Sequence, residues 1–275
     1  MKQKCTYIVG NKKVEFVSNN IYKFGKKIIL SNSVSDISFS KSWYKKGYSI
    51  YRNVFTKKEF TSLKKKITLT IENILKKEKI NTKYFSLENY HNFIKDENTH
   101  NEIVKMTSEL FQENIFFKID DIIEKLEKAT KLSLSQFFKN KKMHIIIRIV
   151  RPSSSDFNPV HKDIYDSYDK KKKLLKILNF WIPICGVNLN SALTLVPSSH
   201  LIPENKILRT YTGAVINNQK YRVNNILSWD GQNELTRVPV KYKSVLAFSS
   251  HLIHGLGINY GKSTRIALEF RLYKK

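Results

Sequence analysis

From residue 143 onward the chain drops helical spacing and breaks into short β-branched runs, and this switch limits the available folds most. The run at 143–150 ends in the breaker Arg151-Pro152-Ser153-Ser154-Ser155. Further strands are expected over 174–183, 192–196, 206–217, 221–226, 236–240, 243–249 and 264–272, with turn residues between them. Many short strands divided by turn signals point to an antiparallel sandwich or barrel. Upstream, the capping box Thr56-Lys57-Lys58-Glu59 opens a helix whose Phe60, Leu63, Ile67, Ile71, Ile74 and Leu75 hold one face to about Lys79. Two more helices fit 102–111 and 119–131, residues 81–100 read as loop, and a strand fits 47–51. The first forty residues read as strands at 6–9 and 14–17 around Gly10-Asn11-Lys12-Lys13, then 21–30. The expected organisation over 1–275 is one unit: a β-rich extension at 1–42, helical support at 43–142 and a β core at 143–275.

Composition narrows the partners. The chain carries 49 Lys+Arg against 23 Asp+Glu, a net charge of +26, yet only eight of the basic residues are arginine. A lysine excess beside abundant Ile and Asn fits a coding bias, whereas phosphate and base readers favour Arg. Nucleic acid is therefore not the expected partner, while a small-molecule substrate, acidic or not, stays open. A 41% hydrophobic content excludes wholesale disorder. No window approaches the roughly 18 apolar residues of a membrane span, and the N-terminus lacks a signal-peptide core. Two cysteines, Cys5 and Cys185, are too few for a disulfide framework, so a cytoplasmic protein with reduced thiols is expected. The lysine run at 170–173 reads as a solvated loop.

Chemistry concentrates in the β-rich half. In His161-Lys162-Asp163 an extended backbone points residues i and i+2 to one side, so imidazole and carboxylate converge. Far downstream, the strand at 243–249 runs into Ser249-Ser250-His251-Leu252-Ile253-His254-Gly255. Two His and one carboxylate on one side of a metal leave the opposite positions open, the geometry of non-haem Fe(II) oxygenases. Arg265 follows His254 by eleven residues, and a guanidinium fork beside a metal suits the far carboxylate of a diacid cosubstrate. His251, three before His254, faces the other way; His200 reads as a structural hydrogen-bonder, and His91 and His100 receive no role.

At these residues the chain resembles the Fe(II)/2-oxoglutarate-dependent dioxygenases, and within them the phytanoyl-CoA dioxygenase-like family. The segment from Lys46-Gly47-Tyr48 to Val54-Phe55 before a capped helix is similar to that family's opening segment. Ser191-Ala192-Leu193-Thr194-Leu195-Val196-Pro197-Ser198-Ser199-His200 is similar to its Gly-x-Leu-x-x-x-Pro-Gly-Ser-His segment. His254-Gly255-Leu256-Gly257-Ile258-Asn259 with Arg265 looks like its closing strand pair, and the likeness covers about 43–273.

The resemblance implies a mainly β fold with flanking helices, a double-stranded β-helix of the jelly-roll, cupin-like type. It implies Fe(II) held by His161, Asp163 and His254, the 2-oxoglutarate C5 carboxylate held by Arg265, and O2 as the second cosubstrate. The implied reaction is hydroxylation of a small or carrier-linked metabolite, of the natural-product or surface-sugar tailoring type, with 2-oxoglutarate converted to succinate and CO2. Asp163 stands where related halogenases lack a carboxylate. Asn179 is a further candidate for the cosubstrate, and Arg148, Tyr165 and Trp181 for the substrate. Two departures matter. Leu256 replaces the Ser or Thr that helps bind 2-oxoglutarate in many members, leaving Ser263 or Thr264 to compensate, and Ser198 and Ser244 stand where glycine is common. One alternative is an AlkB-type nucleic-acid demethylase, whose Arg-x5-Arg spacing Arg265 and Arg271 reproduce, although its His-to-Arg distance is longer. The other is a non-catalytic cupin-like binding protein, against which the joint presence of the quartet argues.

Overall fold

In the computed structural model, residues 3–138, 141–167 and 173–275 are described, and of the lysine run only Lys173 falls among them. Two curled β-sheets make a double-stranded β-helix. In the first sheet, Ile177–Cys185 lies between Val245–Ser249 and Arg265–Lys274, antiparallel to both. Tyr48–Tyr51 flanks the first neighbour and Ile146–Val150 the second.

Period-two alternation sorts this sheet's side chains into two environments. Leu178, Phe180, Ile182, Ile266, Leu268 and Phe270 face outward into a core shared with the helices Lys57–Lys77 and Ile119–Thr130. Asn179, Trp181, Arg265, Glu269 and Arg271 alternate with them and line the interior cavity. The helices thus cover one face so that the other can carry polar chemistry.

The capping box on the first helix is present as expected: Thr56 accepts from the Glu59 backbone while the Glu59 side chain reaches the Thr56 backbone. The helix expected at 102–111 is Glu97–Ser108 instead, because the Asp96 side chain accepts from the Thr99 amide and starts it earlier. That shift folds part of the expected 81–100 loop, and Leu87–Asn89 and Tyr90–Phe93 are also short helices.

In the second sheet the N-terminal hairpin Gln3–Val9/Lys12–Ser18 lies inside, with Glu234–Val238 on one side and Ala214–Ile216 on the other. The expected strand at 21–30 shrinks to Lys23–Phe24. The one expected at 206–217 splits into Ile207–Arg209 and Ala214–Ile216 around Gly213, which sits at φ 74°. Similarly, 221–226 divides between the end of Gln219–Tyr221 and the start of Ile226–Trp229.

Candidate active site

His161 and His254 meet as an isolated antiparallel bridge, exchanging both backbone hydrogen bonds, His161 N to His254 O at 2.8 Å and the reverse at 3.0 Å. This pairing brings two histidines 93 positions apart to a ring-centroid distance of 4.3 Å. Lys162 is extended (φ −117°, ψ 132°), so Asp163 returns to the side of His161. The imidazole Nε2 atoms lie 3.5 Å and 3.4 Å from the two Asp163 oxygens. One donor atom from each of the three residues falls within 4.8 Å of the others, and all three residues are buried.

The donor set fits a divalent metal on three counts. Each histidine donates its Nδ1–H to a backbone carbonyl, His161 to Pro159 at 2.7 Å and His254 to Leu252 at 3.0 Å. That fixes the tautomer whose Nε2 has a free lone pair. His161 Nε2 is buried without a hydrogen-bond partner, and burial followed by the neighbouring His254 pushes its pKa down, favouring the neutral ligand form. Burial alone would raise the Asp163 carboxyl, but Arg271 and His254 outweigh it and hold the group well below the usual carboxylate range. Asn179 Nδ2 donates to Asp163 Oδ2 at 2.6 Å, and Arg271 Nη2 lies 2.8 Å from Oδ1. The expected cosubstrate contact Asn179 is therefore seen holding the carboxylate.

Arg265 enters the same cavity from the end of its strand and is 3% exposed. Its Nη1 donates to the Ser191 carbonyl at 3.0 Å and its Nε has no partner. Burial brings its pKa down to about 10, still far above neutrality, so a buried cation faces the cavity without a paired carboxylate. Such a group is costly unless an anion joins it. Leu256 lies on the cavity wall at φ 51°. Thr264 does not compensate for it, because its hydroxyl bonds His91 Nδ1 at 2.9 Å.

The remaining candidates divide. Trp181 lines the cavity with its indole Nε1 unpartnered. Arg148 also lines it, but its guanidinium is held by Glu269 at 3.0 Å and by Asn158 at 3.3 Å. Tyr165 corrects the expectation: it is absent from the cavity wall and donates to Glu204 at 2.8 Å. Asp163 begins a 3-10 turn over Asp163–Asp166, which ends the strand-like alternation and rotates Tyr165 away. His251 and His200 stay outside the cluster, His251 against the Ser35 carbonyl and His200 edge-on to Tyr44.

Sequence reasoning gave no role to the wall residues Glu269 and His100, and placed Arg271 only in the AlkB-type alternative. Glu269 and Arg271 share the alternation of Arg265, a signal that was present. His100 reaches the wall through the early helix start and pairs with Asp156 at 3.0 Å. The cavity holds about 120 Å³, and its wall carries four carboxylates, three guanidiniums and, among the described residues, no lysine.

The model of the phytanoyl-CoA dioxygenase family matches residues 43–267, and the chain belongs to that family. Among solved structures it is similar to SnoK, a non-heme α-ketoglutarate-dependent carbocyclase from nogalamycin biosynthesis. The TM-score is 0.49 at 16% identity, covering 84% of this chain and 81% of that one. It is also similar to EctD from S. alaskensis, solved with 2-oxoglutarate and 5-hydroxyectoine, with TM-score 0.49 at 12% identity over 94% of this chain and 86% of that one. A third is the epimerase SnoN in complex with Fe3+, α-ketoglutarate and a nogalamycin compound, with TM-score 0.46 at 13% identity over 85% and 80%. No match is found among curated proteins. Among the described residues no helix is long and apolar enough to cross a membrane.

Proposed function

We propose that this chain is an Fe(II)- and 2-oxoglutarate-dependent oxygenase that hydroxylates a small molecule. The observation that carries the reading is the convergence of His161, Asp163 and His254 beside a buried, carboxylate-free Arg265 in one cavity. Packing alone requires no such quartet. When bound, Fe(II) with 2-oxoglutarate supplies O2 activation, coupled to decarboxylation of the cosubstrate to succinate and CO2. The chain's own residues do the rest. His161, Asp163 and His254 hold the metal on one side, Asn179 and Arg271 fix the Asp163 carboxylate, and Arg265 orients the cosubstrate through its far carboxylate. Trp181 and Phe248 are among the apolar residues of the wall, and apolar surface there disfavours water. A reducing cytoplasm suits both Fe(II) and the two unpaired buried thiols.

The test is succinate formation from 2-oxoglutarate with Fe(II) and ascorbate. We expect His161→Ala and Asp163→Ala to abolish it, and Arg265→Gln chiefly to raise the 2-oxoglutarate KM, because that contact is one of binding. Full turnover in His161→Ala would overturn the assignment. The AlkB-type reading gains nothing from the lysine excess, since none of it lines the cavity among the described residues.

A further inference from the structure

Next to the catalytic cavity lies a second concavity of about 420 Å³, and the two share Glu97, Asn101, Ser155, Phe157, Gln219 and Tyr221. The two concavities therefore adjoin, with these residues lining both. Three elements build it: the first turns of the Glu97–Ser108 helix, the loop after Ile146–Val150, and the hairpin Ala214–Ile216/Gln219–Tyr221.

The composition of this groove departs sharply from that of the chain. In a protein with 49 basic residues, none lines the groove among the described residues. Its one ionisable carboxylate, Glu97, accepts from the Ser155 hydroxyl at 3.3 Å. The other polar groups are mostly side-chain amides, from Asn98, Asn101, Asn217, Asn218 and Gln219. Among the described residues those of Asn98 and Asn101 are exposed and have no protein partner, Asn217 accepts from the Val17 backbone amide at 3.0 Å, and Gln219 uses only its oxygen, which accepts from the Tyr221 hydroxyl at 2.8 Å.

Amides carry both donors and acceptors, so they match groups that also do both. Hydroxyls do; phosphates and carboxylates only accept and call for Arg or Lys. An acyl chain would strip water from these amides and return no hydrogen bonds. Phe157 and Tyr221 add aromatic surface for the C–H face of a ring. In the inner cavity Arg148 is paired with Glu269 and Arg271 with Asp163, and the remaining guanidinium, Arg265, is the one assigned to the cosubstrate.

We infer that the groove is a substrate subsite for a neutral, polyhydroxylated moiety of the saccharide class, placed so that a carbon of the same molecule enters the metal-side cavity. This inference rests on the oxygenase reading above and sharpens it. It also departs from an acyl-CoA, whose phosphates would find no cation in the groove.

The experiment measures succinate release by the Fe(II)-loaded full chain with 2-oxoglutarate. The probes are neutral p-nitrophenyl glycosides of hexoses, deoxyhexoses and pentoses, against acetyl-CoA, palmitoyl-CoA and the corresponding sugar phosphates. Neutral glycosides are expected to stimulate release at least tenfold, and the CoA esters and phosphates not. Asn101→Leu and Gln219→Leu should each raise the KM of the stimulating glycoside about tenfold, with circular dichroism confirming the fold. Asn98→Lys should shift preference toward the sugar phosphate, an outcome that a purely structural role would not give. Stimulation by CoA esters or phosphates, or none by any neutral glycoside, would overturn the subsite. Release across all conditions separates the two claims: if it is absent with and without every probe, or persists in His161→Ala, the oxygenase reading falls; if it is present and His161-dependent, only the subsite is at stake.

Discussion

A Cβ placed on Gly257 would stand 2.6 Å from Nη1 of Arg265, so the backbone at 257 leaves just enough room for the guanidinium. Gly257→Ala must push Arg265 away from its place beside the Ser191 carbonyl. We expect a 2-oxoglutarate KM raised about tenfold, equivalent to ~1.4 kcal/mol of a charge-assisted contact, with a smaller change in kcat. Steady-state succinate assays over a range of 2-oxoglutarate check it, and an unchanged KM would separate Arg265 from the cosubstrate.

Asn179 holds the carboxylate of the candidate metal cluster, at 2.6 Å from Asp163 Oδ2. Partners of this kind commonly contribute about 10–100-fold in metal affinity. Asn179→Leu is therefore expected to weaken Mn(II) binding by about tenfold or more in calorimetric titration, with the fold intact. Equal affinities in both proteins would reduce Asn179 to a packing residue.

The pairing of His161 with Asp163 was readable from sequence because it depends on backbone period, an extended Lys162 returning Asp163 to the side of His161, whereas His254 joined the candidate set through the family resemblance. Tyr165 was misread for the complementary reason, since the 3-10 turn beginning at Asp163 replaces that period. The inward row Arg265, Glu269, Arg271 followed from alternation on a strand whose limits were nearly right, although Arg271 was named only for the AlkB-type alternative and Glu269 not at all. What stayed illegible was long-range pairing. The parallel contact of Ile8 and Val9 with Glu234 and Leu235 draws the first hairpin into the second sheet, and no local pattern announces a partner so distant in sequence. His100 was missed through a boundary, because Asp96 caps the helix earlier than the apolar pattern begins.

Lys162 points away from the cluster of His161, Asp163 and His254 and is buried against Glu204 at 2.9 Å, with side chains 1% and 4% exposed. Tyr165 and Arg209 share the same carboxylate, at 2.8 Å and 3.6 Å. Removing one partner of a buried pair strands the other, at a cost of about 3–5 kcal/mol. Glu204→Gln should lower stability by about 3 kcal/mol in urea unfolding, and the double change Lys162→Met/Glu204→Leu should recover most of it. A single variant as stable as wild type would show that Lys162 finds water or another acceptor.

His251 is fully buried beside Asp36, with Nε2 bonded to the Ser35 carbonyl at 3.2 Å. Burial lowers its pKa to about 4, against a smaller upward pull from Asp36; Lys162 and His200 add to the lowering. A histidine depressed in the folded state is neutral in both states above its unfolded pKa near 6.5. Below that pH the unfolded chain takes up the proton first, so stability falls as pH drops from about 6.5 toward 4. The loss from this residue alone should reach about 2 kcal/mol by pH 5. Urea midpoints at pH 7, 6 and 5 measure it, and His251→Gln, which keeps a donor for Ser35, should flatten the decline. Parallel declines in wild type and variant would assign the acid sensitivity elsewhere, with the buried carboxylate Asp36 the next group to change.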